Sequence, residues 1–201
     1  MYTSAAGKSC FLVVIEGPDR VGKATQASML EKALTKGGRK TTVEEIPYND
    51  KVTHPEIYRM LKSGAVNKHP VVFQTLQATN RRYFQATRLP DLAVHHDVLV
   101  LDRWNLSTHV YGTISGVDSE TTVAMLEGIV EPDVTLVFDG DPFPKEGLDV
   151  WEADLEFQRK VRDRYLQYCA NDPHSFVKID AGRDKQVVHQ ECLETVLSRL
   201  R

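Results

Sequence analysis

The chain has 201 residues, 41% of them apolar and 26% charged, with a net charge of −3 and a pI near 6.2. That composition is ordinary for a globular protein, is enough for one domain with a large core, and lacks the strongly basic footprint of a nucleic-acid binder. Cys10, Cys169 and Cys192 are odd in number, far apart and without metal-ligand spacing, which predicts reduced thiols in a cytoplasmic setting; no apolar run approaches the roughly 18 residues of a membrane span.

In chain order, Phe11–Ile15 is a continuous apolar run, the mark of a strand buried on both faces. A helical pattern follows from Gly22 to about Lys36 and is closed by Gly37-Gly38. Residues 40–46 read as a polar second strand ended by Pro47. Two helices are expected near 54–63 and 70–89, with Pro70 at a helix start and Pro90 as a stop. Val98–Leu101 is a third strand, followed by helical patterns over 104–113 and 119–130. Val134–Phe138 is a fourth strand. A loop rich in Gly, Pro and Asp spans 139–149, and an amphipathic helix 151–171. A short fifth strand at 175–179 and a last helix at 184–200 complete the chain. Strands alternating with helices predict a three-layer α/β fold on a five-stranded parallel sheet, as one domain over residues 1–201.

The segment Gly17-Pro18-Asp19-Arg20-Val21-Gly22-Lys23 spells G-x-x-x-x-G-K between a buried strand and a helix. In that place its backbone N–H groups cradle phosphate oxygens, the helix N-terminus favours the negative charge, and Lys23 reaches the transferred phosphate. The motif expects Ser or Thr after the lysine, to hold Mg²⁺. Here it has Ala24, and Thr25 lies about 100° further round the helix. Gly7-Lys8-Ser9 resembles the end of the same motif, but Tyr2 stands where the first glycine belongs and a strand follows.

Asp102-Arg103 follows the third strand. A carboxylate at a strand's C-terminal end is placed to hold Mg²⁺ or its waters, and an arginine beside it to clamp a phosphate. His95-His96 lie in a polar stretch read as extended, where adjacent side chains diverge, so they predict no shared metal. His109, between Ser107 and Tyr111, is a candidate for lining a pocket. Arg159, Arg162 and Arg164 read as a solvated helix face.

Taken together, these segments resemble the thymidylate kinase family. Glu16–Gln26 is similar to its E-G-x-D-x-x-G-K-S/T-T-Q, and Asp102–Ser107 with Tyr111 to its D-R-Y-x-x-S-x-x-A-Y/F. Ala78-Thr79-Asn80-Arg81-Arg82 resembles its A-N-R helix, Pro132–Asp139 its P-D-L-T strand, and Ile179-Asp180-Ala181 its late I/V-D-A. The resemblance implies a P-loop nucleoside-monophosphate kinase fold, a homodimer formed through residues 54–89 and 104–130, and transfer of the ATP γ-phosphate to a deoxynucleoside monophosphate, usually dTMP. By the same resemblance, residues 17–25 (Gly17, Pro18, Asp19, Arg20, Val21, Gly22, Lys23, Ala24, Thr25) and Arg183 hold ATP. Asp102 serves Mg²⁺, and Asp19, Arg20, Lys23 and Arg103 are catalytic. Asp19 faces the acceptor sugar and Arg103 binds the acceptor phosphate. Arg81 or Arg82 bonds the thymine edge, and Tyr111 presses on the deoxyribose. Phe73, Gln77, Ser107 and Trp151 complete the acceptor pocket. Residues 139–150 correspond to a short lid whose one cation is Lys145, so Arg20 supplies the catalytic cation from within the loop.

The sequence departs from the family at Ala24, at Glu45 where an arginine contacts the acceptor phosphate (Lys51 being a possible substitute), and in the absence of an aromatic residue four positions before Arg81. Two of these touch the acceptor side, which leaves open a different or modified pyrimidine acceptor. A deoxynucleoside kinase and a non-catalytic nucleotide-binding module are the rival readings.

Overall fold

The computed structural model describes residues 1–5, 7–144 and 147–200. Lys145 lies outside the described residues.

The central sheet is built from β2 (Ser9–Glu16), β3 (Thr41–Glu45), β4 (Val98–Asp102), β5 (Val134–Asp139) and β6 (Phe176–Asp180), all parallel, in the order β3-β4-β2-β5-β6. A short antiparallel strand, β1 (Tyr2–Thr3), pairs with the start of β2. The Gly7-Lys8-Ser9 segment thus belongs to a hairpin, with Gly7 at φ 75° and its N–H bonded to Ser4 O.

The layers follow from strand alternation. Phe11, Val13 and Ile15 face helices α1 (Lys23–Lys36) and α9 (Lys185–Arg199), where they meet Leu30, Leu34, Val188 and Val196. Cys10, Leu12 and Val14 face the other side, packed with Phe84, Leu89, Leu92 and Trp104. The first two of these belong to α4 (Pro70–Thr87) and α5 (Leu89–His95). Helices α2 (His54–Ser63), α3 (Ala65–Lys68), α6 (Asn105–Ile114), α7 (Ser119–Leu126) and α8 (Leu155–Asn171) complete the chain. A third cluster joins α2, α4, α6 and α8 around Trp151 and Tyr165.

Several boundaries move for local reasons. Pro90 does not only end a helix: it lies in the first turn of α5, where a missing N–H costs nothing. His95 is therefore the last residue of a helix and not part of an extended stretch; its ring lies 3.6 Å from Asp91, while the His96 ring nitrogen meets Leu92 O at 3.0 Å. The long helix starts at Leu155, not 151, because the Asp154 side chain accepts from Phe157 N and caps it. Helix α7 stops at Leu126, ahead of Gly128 at φ 77°.

Candidate active site

The C-terminal ends of β2, β3 and β4 open into a cavity of about 820 Å³. The loop from Gly17 to Gly22 forms one wall. Gly17 is dictated by close approach: at φ 137°, a Cβ there would come within 2.6 Å of Phe138 O on β5. Gly22 is left-handed at φ 90° and immediately precedes α1, whose first turn carries no acidic residue and no side-chain cap. Those N–H groups are therefore left to an anion. Lys23 is buried, with Nζ donating to Pro18 O at 2.6 Å. Burial, with Arg103 nearby, lowers its pKa to about 8, against the opposing pull of Asp102, Asp19 and Glu16.

Glu16, the last residue of β2, is fully buried. Its carboxylate accepts from Trp104 N at 2.8 Å, Ser107 N at 3.0 Å, Ser107 Oγ at 2.6 Å and Tyr165 Oη at 2.9 Å. It thus caps the N-terminus of α6 from another element and fixes Arg103 relative to the loop. Arg103 itself turns the chain from β4 into α6 at φ 72°. Its guanidinium pairs with Asp19 Oδ1, donates to Gly17 O and Ser107 Oγ, both at 3.2 Å, and lies over the Tyr111 ring at 5.3 Å. Asp19 Oδ2 accepts from Tyr111 Oη and Gln158 Nε2, both at 3.0 Å. Burial alone would raise the Asp19 carboxyl, but Arg103 and Lys23 outweigh it and hold it below the usual carboxylate range.

Arg20 occupies left-handed backbone at φ 62°. Its Nη1 donates to Phe143 O at 2.9 Å and its Nη2 to Glu152 O at 3.2 Å, while Phe143 N donates to Arg20 O at 2.8 Å. Its Nε is buried without a partner among the described residues. The segment between β5 and α8 therefore grips the loop through backbone carbonyls. At its far end Trp151 stacks on Tyr111 at 5.4 Å and meets the edge of Phe73 at 5.0 Å.

The opposite end of the cavity is lined by α4. Arg81 is buried, and its hydrogen bonds go to Gln77 O at 2.9 Å and Gln77 Oε1 at 3.1 Å. Burial pulls its pKa down to about 10 despite Glu16 and Tyr165. A buried guanidinium bonded, among the described residues, only within its own helix is poised for an acceptor from a ligand.

The cavity gathers most residues named from sequence: Asp19, Arg20, Gly22, Lys23, Ala24, Thr25, Phe73, Gln77, Arg81, Asp102, Arg103, Ser107, Tyr111 and Trp151 all line it. Gly17, Pro18 and Val21 belong to the same loop, behind its surface. Arg82 is not brought in: it is exposed and donates to Glu127 O and Met125 O, because adjacent helix positions diverge by about 100°. Arg183 is also outside, paired with Glu191 and bonded to Asp180 O. His109 does not line the cavity; its Nδ1 meets Thr122 Oγ1 at 3.1 Å. Lys51 stands outside the cavity, whereas Glu45 and Lys62 line it. Arg162 is not merely solvated: it pairs with Asp139 at 2.5 Å and Asp141 at 3.1 Å, where the β5–α8 segment begins.

Four roles escaped the sequence reading. Glu16 was a motif letter without a task. Asn80 is buried and bonds Tyr48 O, Asp50 and Thr53, fixing the turn after β3. Gln158 bonds Asp19 twice and Trp151 O at 3.0 Å. The available signal for Gln158 was a glutamine in the buried stripe it shares with Val161, Tyr165 and Cys169. Gln74 is the fourth, buried on α4 and lining the cavity.

Residues 15–192 match the family model "Thymidylate kinase". The chain is 29% identical to the thymidylate kinase of Ruegeria pomeroyi, over 97% of this chain and 98% of that one. It is 30% identical to that of Prosthecochloris aestuarii, over 93% of each. The fold is similar to the crystal structure of a thymidylate kinase from Ehrlichia chaffeensis, with a TM-score of 0.73, 19% identity, and coverage of 94% and 99%.

Proposed function

The chain belongs to the thymidylate kinase family, and from that premise we propose how its residues divide the reaction. The family phosphorylates dTMP to dTDP with ATP as phosphate donor, and that is this enzyme's chemistry. Lys23 and the N–H groups at the start of α1 hold the ATP phosphates. Arg103 holds the acceptor phosphate, Asp19 and Tyr111 face its sugar, and Arg81 takes a carbonyl of its base. Arg20 neutralises charge on the phosphoryl group in flight, and residues 139–150 act as the lid that keeps it aimed. Transfer is in line, by positioning and charge stabilisation, without a covalent enzyme intermediate.

One observation carries this division. A single cavity runs from Lys23 and Arg103 at the phosphate loop to the buried Arg81 on α4. A coupled ADP-release assay with ATP tests it: dTMP supports turnover and thymidine does not. Turnover of thymidine in place of dTMP would point to a nucleoside kinase, and turnover of neither to a binding module.

The donor set suits Mg²⁺. Asp102 lines the cavity at the end of β4, and Glu45 is its register partner at the end of β3, so two carboxylates share the cavity with Lys23 and Ala24. Asp102, with Glu45 beside it, would hold the ion or its waters; the ion would neutralise phosphate charge. Asp102→Asn is expected to raise the Mg²⁺ concentration for half-maximal rate about 10–100-fold. An unchanged Mg²⁺ dependence would remove Asp102 from this role.

A homodimer is also proposed. Val72, Thr75, Thr79 and Tyr83 form an exposed stripe on α4, and Val123 is exposed on α7. Such apolar exposure on neighbouring helices suits a second copy. Sedimentation is expected to give twice the 22.7 kDa chain mass, and Val72→Glu to shift it to the monomer. A wild-type monomer at micromolar concentration would sink the dimer.

A further inference from the structure

Besides Arg20 Nε, three buried polar atoms of residues that line the cavity have no hydrogen-bond partner among the described residues: Gln74 Nε2, Arg81 Nε and Thr108 Oγ1. Their residues are 1%, 2% and 1% exposed. Protein interiors leave few such groups unpaired, and several converging on one cavity point to a ligand that pairs them. Arg81 already has its task in the reading above. Gln74 does not.

We propose that Gln74 is a specificity-determining residue, its carboxamide N–H donating to a ring carbonyl of a keto-pyrimidine. The inference rests on the reading that the acceptor base lies against Arg81. Gln74, Gln77 and Arg81 stand at i, i+3 and i+7 on α4 and so share one face. The stem of Gln74 is held: α6 approaches so closely that a Cβ at Gly112 would lie 3.3 Å from Gln74 Cγ. Its amide is thereby presented to the cavity with little freedom left to lose on binding. Thr108, one turn before Gly112 on α6, lines the cavity as well. Thymine offers two carbonyl acceptors and one ring N–H. Arg81 and Gln74 supply donors for the carbonyls, and the Thr108 hydroxyl can accept from the N–H. Cytosine keeps the C2 carbonyl and presents an amine where thymine presents the C4 carbonyl, so Gln74, assigned to C4 with Arg81 at C2, would face another donor. No ring occupies position 77, so the base is read by its edge through α4 donors.

The test measures kcat/KM for dTMP and dCMP, with the KM for ATP, in wild type, Gln74→Leu and Gln74→Glu. Leucine keeps the volume and loses the donor: kcat/KM for dTMP is expected to fall on the order of 10–100-fold, with dCMP and ATP little changed. Glutamate only accepts, so the dCMP:dTMP ratio is expected to rise at least about tenfold. Being isosteric with glutamine, it also carries the test if the leucine variant folds poorly. A dCMP:dTMP ratio at the wild-type value in both variants would show that Gln74 merely packs against Gly112. A wild-type enzyme that phosphorylates no deoxynucleoside monophosphate overturns the acceptor reading itself, a separate result.

Discussion

Arg20→Ala is expected to lower kcat by about 10³-fold while leaving the KM values for ATP and dTMP within a few-fold. The argument is geometric. Two backbone carbonyls, Phe143 O and Glu152 O, take the terminal nitrogens of the guanidinium and leave the buried Nε–H to donate. The backbone of the β5–α8 segment thus fixes the cation, and the loop carries it. Such a group stabilises charge that develops only as the phosphoryl group moves, so its loss appears in kcat more than in ground-state binding. Arg20→Lys should not rescue the rate: an ammonium cannot span two carbonyls in a fixed plane and still offer an aimed third donor. Steady-state kinetics decide it. A kcat within tenfold of wild type in Arg20→Ala would remove Arg20 from the transition state.

The parallel strands were legible because both faces of each are buried: Phe11–Ile15, Val98–Leu101 and Val134–Phe138 read as apolar runs and sit at the centre of the sheet. The phosphate loop was legible because glycine spacing between strand and helix has few other uses. Helix starts were less so. Asp154 looks like any loop acid until its side chain is seen on Phe157 N. The harder residues act across the fold. Glu16 caps a helix that begins at residue 105, Gln158 braces a loop residue 139 positions away, and Gln74 faces α6. None of these distances has a local signature. Arg81 and Arg82 could not be separated by letters alone. Only helix phase assigns one to the cavity and the other to the carbonyls near α7.

Arg103→Met is expected both to abolish detectable turnover and to destabilise the fold by about 3 kcal/mol, because it strands Asp19 as an uncompensated, largely buried carboxylate. For a chain of this length that corresponds to a fall in Tm of about 6–12 °C. The two losses have different origins, and a second substitution separates them. Asp19→Asn removes the stranded charge, so the Asp19→Asn/Arg103→Met double variant should recover much of the lost Tm. It should recover no activity, because the cation proposed to hold the acceptor phosphate is still missing. The pH dependence carries the same sign. Asp19 has a depressed folded-state pKa, so its stabilisation is present above the ordinary carboxylate range and is lost as pH falls through the folded value. In Arg103→Met the carboxylate loses its main counter-charge, so that variant should lose less stability on acidification than wild type. Melts of the four proteins between about pH 2 and pH 8 decide the matter. Additive losses across the cycle would mean that Asp19 and Arg103 are not energetically coupled, and that the network joining the phosphate loop to α6 does not depend on their pairing.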